Sequence, residues 1–263
     1  MRPDINAVEA IVRDVAATEI MPRFGTLKAH EIRVKTHAAD FVTDADIHAE
    51  LQLTRRLTEL LPGSVAVGEE AVHHDRAILD RLSDEAPVWV LDPVDGTGNF
   101  AHGRDSFGVI VALVYRHHTV LGLLHDPVRD ITVMGEEGGG AWSGGGRLTV
   151  ERPETLAELT GSLGNKTLRA VEGRVGGIIR LASACQDYMA LLLGRSHFSF
   201  YRHLMPWDHA AGVLLHAEAG GYSAMIDGTP YRPVETDSGI LLAPDRESWT
   251  QLRALVATSA DPI

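Results

Sequence analysis

Two aspartates stand three positions apart in the stretch WVLDPVDGTGNF, where Asp92 and Asp95 follow an apolar, strand-like segment. A carboxylate is costly to bury beside such a segment unless it is paired. The proline between them fixes one backbone angle, so both side chains can turn to one side with the Val94 carbonyl. Converging carboxylates are the oxygen ligands that Mg²⁺ prefers, completed by water and substrate phosphate. The stretch therefore predicts a cation site, although Pro, Asp and Gly are also ordinary turn residues.

Three other acidic groups lie at the ends of apolar segments or at the starts of predicted helices. They are Asp40, Asp44 and Asp46 in DFVTDADIHAE, Glu69 and Glu70 in VGEEAV, and Asp208 in PWDHAAG. Each also has a structural explanation, since TDAD matches a capping box with Thr43 as the N-cap and acids are favoured near a helix start. One shared site explains all four groups together. Two metals about 4 Å apart would then suit displacement at phosphorus.

Composition limits the class of protein. The chain has 263 residues, 44% of them hydrophobic and 23% charged, which is typical of a globular protein with a sizeable core. Its net charge of −12 argues against a nucleic-acid partner. The apolar runs are too short to span a membrane, and the N-terminus lacks an apolar signal-peptide core, so we expect a cytoplasmic protein. The single cysteine, Cys185, excludes an intramolecular disulfide and a Cys-rich zinc site.

Periodicity and turn residues predict an ordered series of elements. Helices are predicted over 5–20, 44–61, 75–83, 167–179, 183–194, 207–218 and 246–258. Strands are predicted over 87–92, 106–116, 119–127, 130–137, 138–151, 159–164, 197–202 and 238–244, with a hairpin over 222–231. In the helix over 44–61, the apolar residues Ile47, Leu51, Leu57 and Leu61 are predicted to face inward.

The two parts of the chain differ in their order of elements. Strands joined by short turns dominate residues 1–153, which predicts an α+β part with an antiparallel sheet and most of the candidate metal ligands. Helices and strands alternate over 154–263, which predicts an α/β part that supplies Asp208 and the side of the site facing the substrate alcohol. No stretch between the parts has the composition of a flexible linker, so they should pack together and share a crevice.

Two stretches, WVLDPVDGTGNFAHG and PWDHAAGVLLHAEAGG, resemble the two signatures of the inositol monophosphatase family of Mg²⁺-dependent, lithium-sensitive phosphatases. VTDAD and GEE precede them in the family's order, and the similarity runs over about 35–245. The resemblance implies an α+β/α/β layered sandwich of alternating helix and sheet layers, like that of inositol monophosphatase and fructose-1,6-bisphosphatase. It also implies a homodimer that hydrolyses a small phosphorylated alcohol with a metal-activated water.

The resemblance assigns metal ligands by position. Glu69, Asp92 and the Val94 carbonyl would hold one Mg²⁺, while Asp92, Asp95 and Asp208 would hold a second. A third, weaker metal would use Glu69 through water. The resemblance therefore implies two Mg²⁺ ions and allows a third.

The resemblance also implies roles in catalysis and phosphate binding. Thr97, paired with Asp46, would orient the attacking water and help to deprotonate it, and Glu69 is the third residue assigned to catalysis. The backbone N–H groups of Gly96 and Thr97 would hold the phosphate, as expected where a turn or helix opens toward an anion.

The residues on the substrate-alcohol side depart from the family pattern. Ser183, Tyr201 and Arg202 are the candidates there, with Arg202 suited to a second anionic group or exposed at a strand end. Members that act on inositol phosphate commonly carry glutamate at the position of Tyr201. His197 and Asp187 also differ from many members. These changes leave open histidinol-phosphate, fructose-bisphosphate and 3′-nucleotide phosphatases as alternatives.

Other classes of enzyme fit the sequence less well. A cysteine phosphatase would need arginine where Leu191 follows Cys185, and no G-x-S-x-G elbow of a serine hydrolase is present. An aspartyl-phosphate enzyme would need Thr or Val in place of His48 in DADIH. The 13 histidines contain no helical pair with a general-base glutamate, which argues against a zinc enzyme. A metal-binding regulatory protein without turnover is the alternative from a different class.

Overall fold

The structure is a computed structural model that describes residues 2–26, 32–34 and 41–257. Its α-helices are Ile5–Val15 (α1), Asp44–Leu60 (α2), Glu69–His74 (α3), Thr97–Ala101 (α4), Asn165–Val171 (α5), Ala184–Leu192 (α6), Pro206–Glu218 (α7) and Arg246–Ala257 (α8). A π-helical turn, Ala16–Ile20, extends α1, and 3₁₀ helices form at Arg76–Ser83 and Leu156–Glu158.

Within the described residues, the strands form three sheets. They are Ile32–Val34 (β1), Phe41–Thr43 (β2), Val65–Gly68 (β3), Val88–Asp95 (β4), Gly108–Tyr115 (β5), His118–Asp126 (β6), Ile131–Glu136 (β7), Gly140–Ser143 (β8), Gly146–Arg147 (β9), Thr160–Leu163 (β10), Gly177–Ile179 (β11), Phe198–Tyr201 (β12), Tyr222–Met225 (β13) and Ile240–Ala243 (β14). The large sheet has the order β3-β4-β5-β6-β7-β8-β9, the small sheet β11-β10-β12-β14-β13, and β1 pairs with β2. The large sheet is antiparallel apart from the β3–β4 pair.

Both faces of the large sheet are buried, which explains why its strands are apolar at nearly every position. In β5, Val109, Val111 and Leu113 pack on the face covered by α1 and α2, while Ile110 and Ala112 pack on the opposite face. Successive strand residues point to opposite faces, so a strand covered on both sides needs apolar residues at odd and even positions alike.

Helices and sheets alternate through the molecule. One core joins the large sheet to α1 and α2, a second lies between the two sheets and includes α6 and α7, and a third joins the small sheet to α5 and α8. The predicted layered sandwich is therefore confirmed. The division at 153/154 stays a prediction, since α7 of the second part packs against β5, β6 and β7 of the first. Within the described residues, no helix is both long and apolar enough to cross a membrane.

The predicted inward face of α2 is wrong at two positions. Ile47 is 38% exposed and Leu51 is 63% exposed, whereas Ala49 and Leu53 are fully buried. The helix turns its acidic side chain Asp46 into the protein, together with Glu50, as described below. Leu57 and Leu61 are buried as predicted. Apolar spacing alone did not identify the inward face, because two acids take part in it.

Three other predictions of secondary structure need correction. The helix predicted over 167–179 ends at Val171, because Gly173 adopts a φ of +69°. The last residues of the predicted helix form strand β11 instead. Within the hairpin predicted over 222–231, the turn forms, since the Gly228 N–H donates to the Met225 carbonyl at 2.8 Å, but no second strand follows it, and β13 pairs with β14. Strand β3 and helix α3 were not predicted, because a run of four residues carries little periodicity.

Candidate active site

The end of β4 carries the first two candidate ligands. The β4–β5 register shifts between Asp92 and Asp95, so the strand bulges where Pro93 interrupts the pairing. Oδ1 of Asp92 accepts a hydrogen bond from the Val94 N–H at 3.1 Å, which closes a tight turn within the bulge. Both aspartates are buried, at 2% and 7% exposure. Local geometry thus places two carboxylates at one end of a buried strand, as predicted.

Helix α7 brings a third carboxylate to the same point. It begins at Pro206, a residue suited to the first helical position, and Asp208 lies in its first turn. Carboxylate oxygens of Asp92, Asp95 and Asp208 lie within 4.8 Å of one another. We call these three residues the acidic cluster. Oxygen donors at this spacing are suited to a hard divalent cation.

Burial and mutual repulsion make the acidic cluster electrostatically unfavourable without a cation. Burial raises the pKa of Asp92 well above its ordinary value, and repulsion from Glu69, Asp95 and Asp208 raises it further. Burial also raises the pKa of Asp95 to about 6, with Glu69 again contributing. Glu69 is half-buried at the start of α3. It stands outside the three-residue cluster but near enough to repel two of its members.

Asp95 also caps helix α6, which the sequence did not reveal. Its carboxylate accepts hydrogen bonds from the Ser183 hydroxyl, from the Ala184 N–H at 3.1 Å and from the Cys185 N–H at 2.8 Å. These bonds lower its pKa against the effect of burial. Gly96 follows with a φ of +87°, and a Cβ there would lie 2.9 Å from the carbonyl oxygen of Ser106. A close backbone approach therefore requires glycine at this position.

Asp46 acts both as a helix cap and as the partner of Thr97. Oδ2 of Asp46 accepts hydrogen bonds from the N–H of Thr43 at 2.9 Å and from its hydroxyl, which completes the predicted capping box. Oδ1 lies 3.1 Å from the Thr97 hydroxyl, which is also 3.0 Å from the Val94 carbonyl oxygen. TDAD therefore forms the predicted cap, and Asp46 also contacts Thr97, while its part in a shared metal site stays a prediction. Thr97 begins α4, where the first N–H groups have no acceptor within the helix.

Of the residues predicted on the substrate-alcohol side, Ser183 is bonded to Asp95, whereas Tyr201 belongs to a separate polar group. The Tyr201 hydroxyl and the Ser162 hydroxyl each donate to Oδ2 of Asp187 at 2.9 Å. Tyr201 also lies against His209, with ring centroids 4.6 Å apart. Arg202, the next residue, is exposed. Tyr201 is thus held in place by Asp187, a second residue that differs from many members of the family.

Asp187 should make the folded state less stable as pH rises. Burial raises its pKa from 3.8 to about 6, although bonds from Tyr201 and Ser162 oppose the shift. The folded state therefore binds this proton more tightly than the unfolded state, and stability is lost between about pH 4 and pH 6. We expect the free energy of unfolding, measured in urea, to fall by about 2 kcal/mol more in the wild type than in Asp187→Asn between about pH 4.5 and about pH 7.5. A difference that does not change with pH would contradict this.

Of the predicted site residues, the structure gathers Asp46, Glu69, Asp92, Val94, Asp95, Gly96, Thr97, Ser183 and Asp208 around the end of β4. Tyr201 borders this group through Asp187, and Arg202 lies at the surface. Asp40 is outside the described residues. Glu50 was not predicted as a site residue. It is buried one helical turn after Asp46 and caps α3. Its four-residue spacing from Asp46 was the signal available.

A layered sandwich with carboxylates gathered at the end of β4 is typical of one family of metal-dependent phosphatases. Residues 1–261 match the profile of the inositol monophosphatase family. The chain belongs to this family.

Named relatives cover most of the chain. An inositol-1-monophosphatase of Rhizobium meliloti is 33% identical over 243 residues, 88% of each chain. A fructose-1,6-bisphosphatase/inositol-1-monophosphatase of Thermotoga maritima is 32% identical over 200 residues, 74% of this chain and 75% of its own. A protein named Nus factor SuhB from Pseudomonas aeruginosa is 32% identical over 207 residues, 73% and 74%. A solved structure of an IMPase from Thermotoga maritima superposes with a TM-score of 0.84 at 25% identity, covering 97% of this chain and 96% of its own.

Proposed function

We propose that this protein is a Mg²⁺-dependent phosphomonoesterase that hydrolyses a small phosphorylated alcohol, as its relatives named inositol-1-monophosphatase imply. The observation that carries the proposal is the acidic cluster of Asp92, Asp95 and Asp208, whose oxygens lie within 4.8 Å of one another. Buried acids this close repel one another, and a bound cation would offset that repulsion. A phosphate ester then supplies the remaining oxygen ligands that Mg²⁺ requires.

The residues that would hold the metals are the acidic cluster, Glu69 and the Val94 carbonyl. All are hard oxygen donors, and a bound cation would offset the burial and mutual repulsion that raise the pKa values of Asp92 and Asp95. When bound, Mg²⁺ lowers the pKa of water and offsets charge on the phosphoryl group. We assign two metals, with a third, weaker one near Glu69, and millimolar Li⁺ as an inhibitor.

Thr97 and Asp46 would orient the attacking water. The Thr97 hydroxyl has one proton and two acceptors within reach, the carboxylate Oδ1 of Asp46 and the carbonyl oxygen of Val94. Donating to Asp46 leaves its own lone pairs free to accept from water, so that a water lone pair faces phosphorus. Glu69 would assist from the first turn of α3. The N–H groups of Gly96 and Thr97 would bind the phosphate oxygens at the start of α4.

The alcohol of the substrate would lie toward Ser183, Tyr201 and Arg202. Tyr201 offers a phenol held by Asp187, where members that act on inositol phosphate commonly carry glutamate. The phenol is neutral and already donates its one proton to Asp187, so it offers a substrate only the lone pairs of its oxygen, whereas a glutamate offers a charged carboxylate that accepts several hydrogen bonds. Inositol phosphates, histidinol phosphate, fructose 1,6-bisphosphate and 3′-nucleotides therefore all belong in the substrate panel.

Metal removal tests the proposal directly. We expect the purified protein to hydrolyse p-nitrophenyl phosphate with Mg²⁺, to lose at least about 100-fold of its rate in EDTA, and to regain the rate with excess Mg²⁺. Millimolar Li⁺ should inhibit, and the substrate panel should single out one alcohol by kcat/KM. Turnover that persists in EDTA would contradict the proposal. EDTA saturated with Ca²⁺ beforehand is the control, and it should not lower the rate.

A regulatory role without turnover is the second candidate, favoured by the similarity to the protein named Nus factor SuhB. The net charge of −12 argues against direct binding to nucleic acid. Absence of hydrolysis across the whole panel, with Mg²⁺ binding intact, would favour this candidate. We further expect a cytoplasmic homodimer whose site is shared by the parts 1–153 and 154–263. Sedimentation velocity measures whether the protein is a dimer.

A further inference from the structure

Glu50 is a buried carboxylate that the roles above do not use. It lies on α2, four residues after Asp46, and is 7% exposed. Its Oε2 accepts a hydrogen bond from the N–H of Glu70 at 2.8 Å, and its Oε1 accepts one from the N–H of Ala71, also at 2.8 Å. These N–H groups belong to the first turn of α3, where the helix itself provides no acceptor. Glu50 therefore fixes the start of the helix whose first residue is Glu69.

Gly68 packs directly against this carboxylate. A Cβ placed on Gly68 would lie 2.2 Å from the Cδ of Glu50 and 2.4 and 2.6 Å from its two oxygens. The φ of Gly68 is −106°, a value open to any residue. A side chain at this position would displace the carboxylate of Glu50, and glycine leaves room for it. The contact between α2 and α3 is built around the carboxylate from both sides.

We propose that Glu50 is a positioning residue that sets Mg²⁺ affinity by holding Glu69 beside the acidic cluster. The inference rests on the proposed function, because it takes Glu69 to be a metal ligand. Two backbone hydrogen bonds orient the first turn of α3, and Glu69 opens that turn. Residues that orient a metal ligand typically change metal affinity or activity by about 10- to 100-fold when replaced.

Helix α2 thereby supports both halves of the site. Asp46 holds the Thr97 hydroxyl, and Glu50, one turn later, holds α3. Residues four apart lie on one face of a helix, so a single rigid element fixes the residue that orients water relative to a residue that would bind metal. This also accounts for the exposure of Ile47 and Leu51, since the inward face is occupied by the two acids and by small residues.

Glu50→Gln tests the proposal with little change in shape. Glutamine keeps one oxygen acceptor but places an NH₂ group against the second N–H of α3. We expect the Kd for Mg²⁺, measured by isothermal titration calorimetry, to rise at least about 10-fold. Glu59→Gln, on the exposed side of the same helix at 64% exposure, is the matched control and should leave the Kd unchanged.

Gly68→Ala provides a second perturbation from the opposite side. It leaves Glu50 chemically intact but displaces its carboxylate, so the Kd for Mg²⁺ should rise as it does in Glu50→Gln. This variant carries the test if Glu50→Gln does not fold. Circular dichroism and thermal unfolding establish folding for each variant.

A double-mutant cycle separates positioning from a general loss of structure. If Glu50 acts through Glu69, then Glu50→Gln should change the Kd for Mg²⁺ by less than about twofold when Glu69→Gln is already present. Additive effects in the cycle, or a folded Glu50→Gln protein with wild-type affinity, would overturn the proposal. A wild-type protein that binds no Mg²⁺ would instead overturn the proposed function, so the two failures are distinct.

Discussion

Asp95→Asn is expected to reduce phosphomonoester turnover at least about 100-fold. Loss of a residue that only orients a metal ligand costs about 10- to 100-fold, and Asp95 belongs to the acidic cluster itself. The substitution removes one negative charge and half of the oxygen donors of the side chain. Initial rates with p-nitrophenyl phosphate, measured over a range of Mg²⁺ concentrations, check this. Raising Mg²⁺ should restore little of the rate.

The same variant should keep its fold. The shorter contacts of Asp95, to Ser183 and to the Cys185 N–H, both use Oδ2, which the asparagine oxygen can replace. Only the 3.1 Å bond from Ala184 is lost, at a cost of about 1 kcal/mol. Removal of a buried charge whose pKa is already raised to about 6 offsets that cost. We therefore expect a melting temperature close to that of the wild type.

The control for this prediction is Asp105→Asn. Asp105 is an exposed aspartate that pairs with Arg129 outside the acidic cluster, so the identical substitution should leave turnover within about twofold. A folded Asp95→Asn protein with more than a tenth of the wild-type rate would contradict the assignment of Asp95 to the metal site.

The fold was predictable where apolar patterning is long and unambiguous. Strand β5 alternates between two buried faces, and short turns connect it to its neighbours, so both its type and its antiparallel pairing follow from the sequence. Strand β3 has four residues, and its parallel pairing with β4 depends on the position of α3, which no local pattern specifies. For β13, a local pattern was misleading. The Asp-Gly turn after it predicts a hairpin, but the strand pairs with β14.

The candidate site was predictable by residue type and only partly by arrangement. Asp92 and Asp95 come together through one bulge, which the proline between them foreshadows. Asp208 reaches them only because α7 packs across the large sheet, a tertiary result. The caps formed by Asp95 on α6 and by Glu50 on α3 have backbone N–H groups as donors. Every residue except proline carries such a group, so the sequence does not distinguish the partners.

Asp46→Asn should lower kcat by about 100-fold or more without a comparable change in Mg²⁺ affinity. The asparagine oxygen can keep the bonds that Thr43 donates to Oδ2. Its NH₂ group then occupies the position of Oδ1 and donates to the Thr97 hydroxyl, which must turn its own proton to the Val94 carbonyl. The polarity of the bond is thereby reversed. Proton transfer by a positioned group contributes about 10²- to 10⁴-fold.

Asp75→Asn is the matched control for this variant. Asp75 also caps a helix, since its side chain accepts the N–H of Ala77, but it is exposed and takes no part in the site. Loss of kcat in Asp46→Asn alone, with an unchanged half-saturating Mg²⁺ concentration, would separate the orientation of water from metal binding. If instead both variants lost activity equally, helix capping would explain the effect. If Asp46→Asn kept kcat within about tenfold, Thr97 would have to work without its carboxylate partner, and the pairing that joins α2 to α4 would be structural alone.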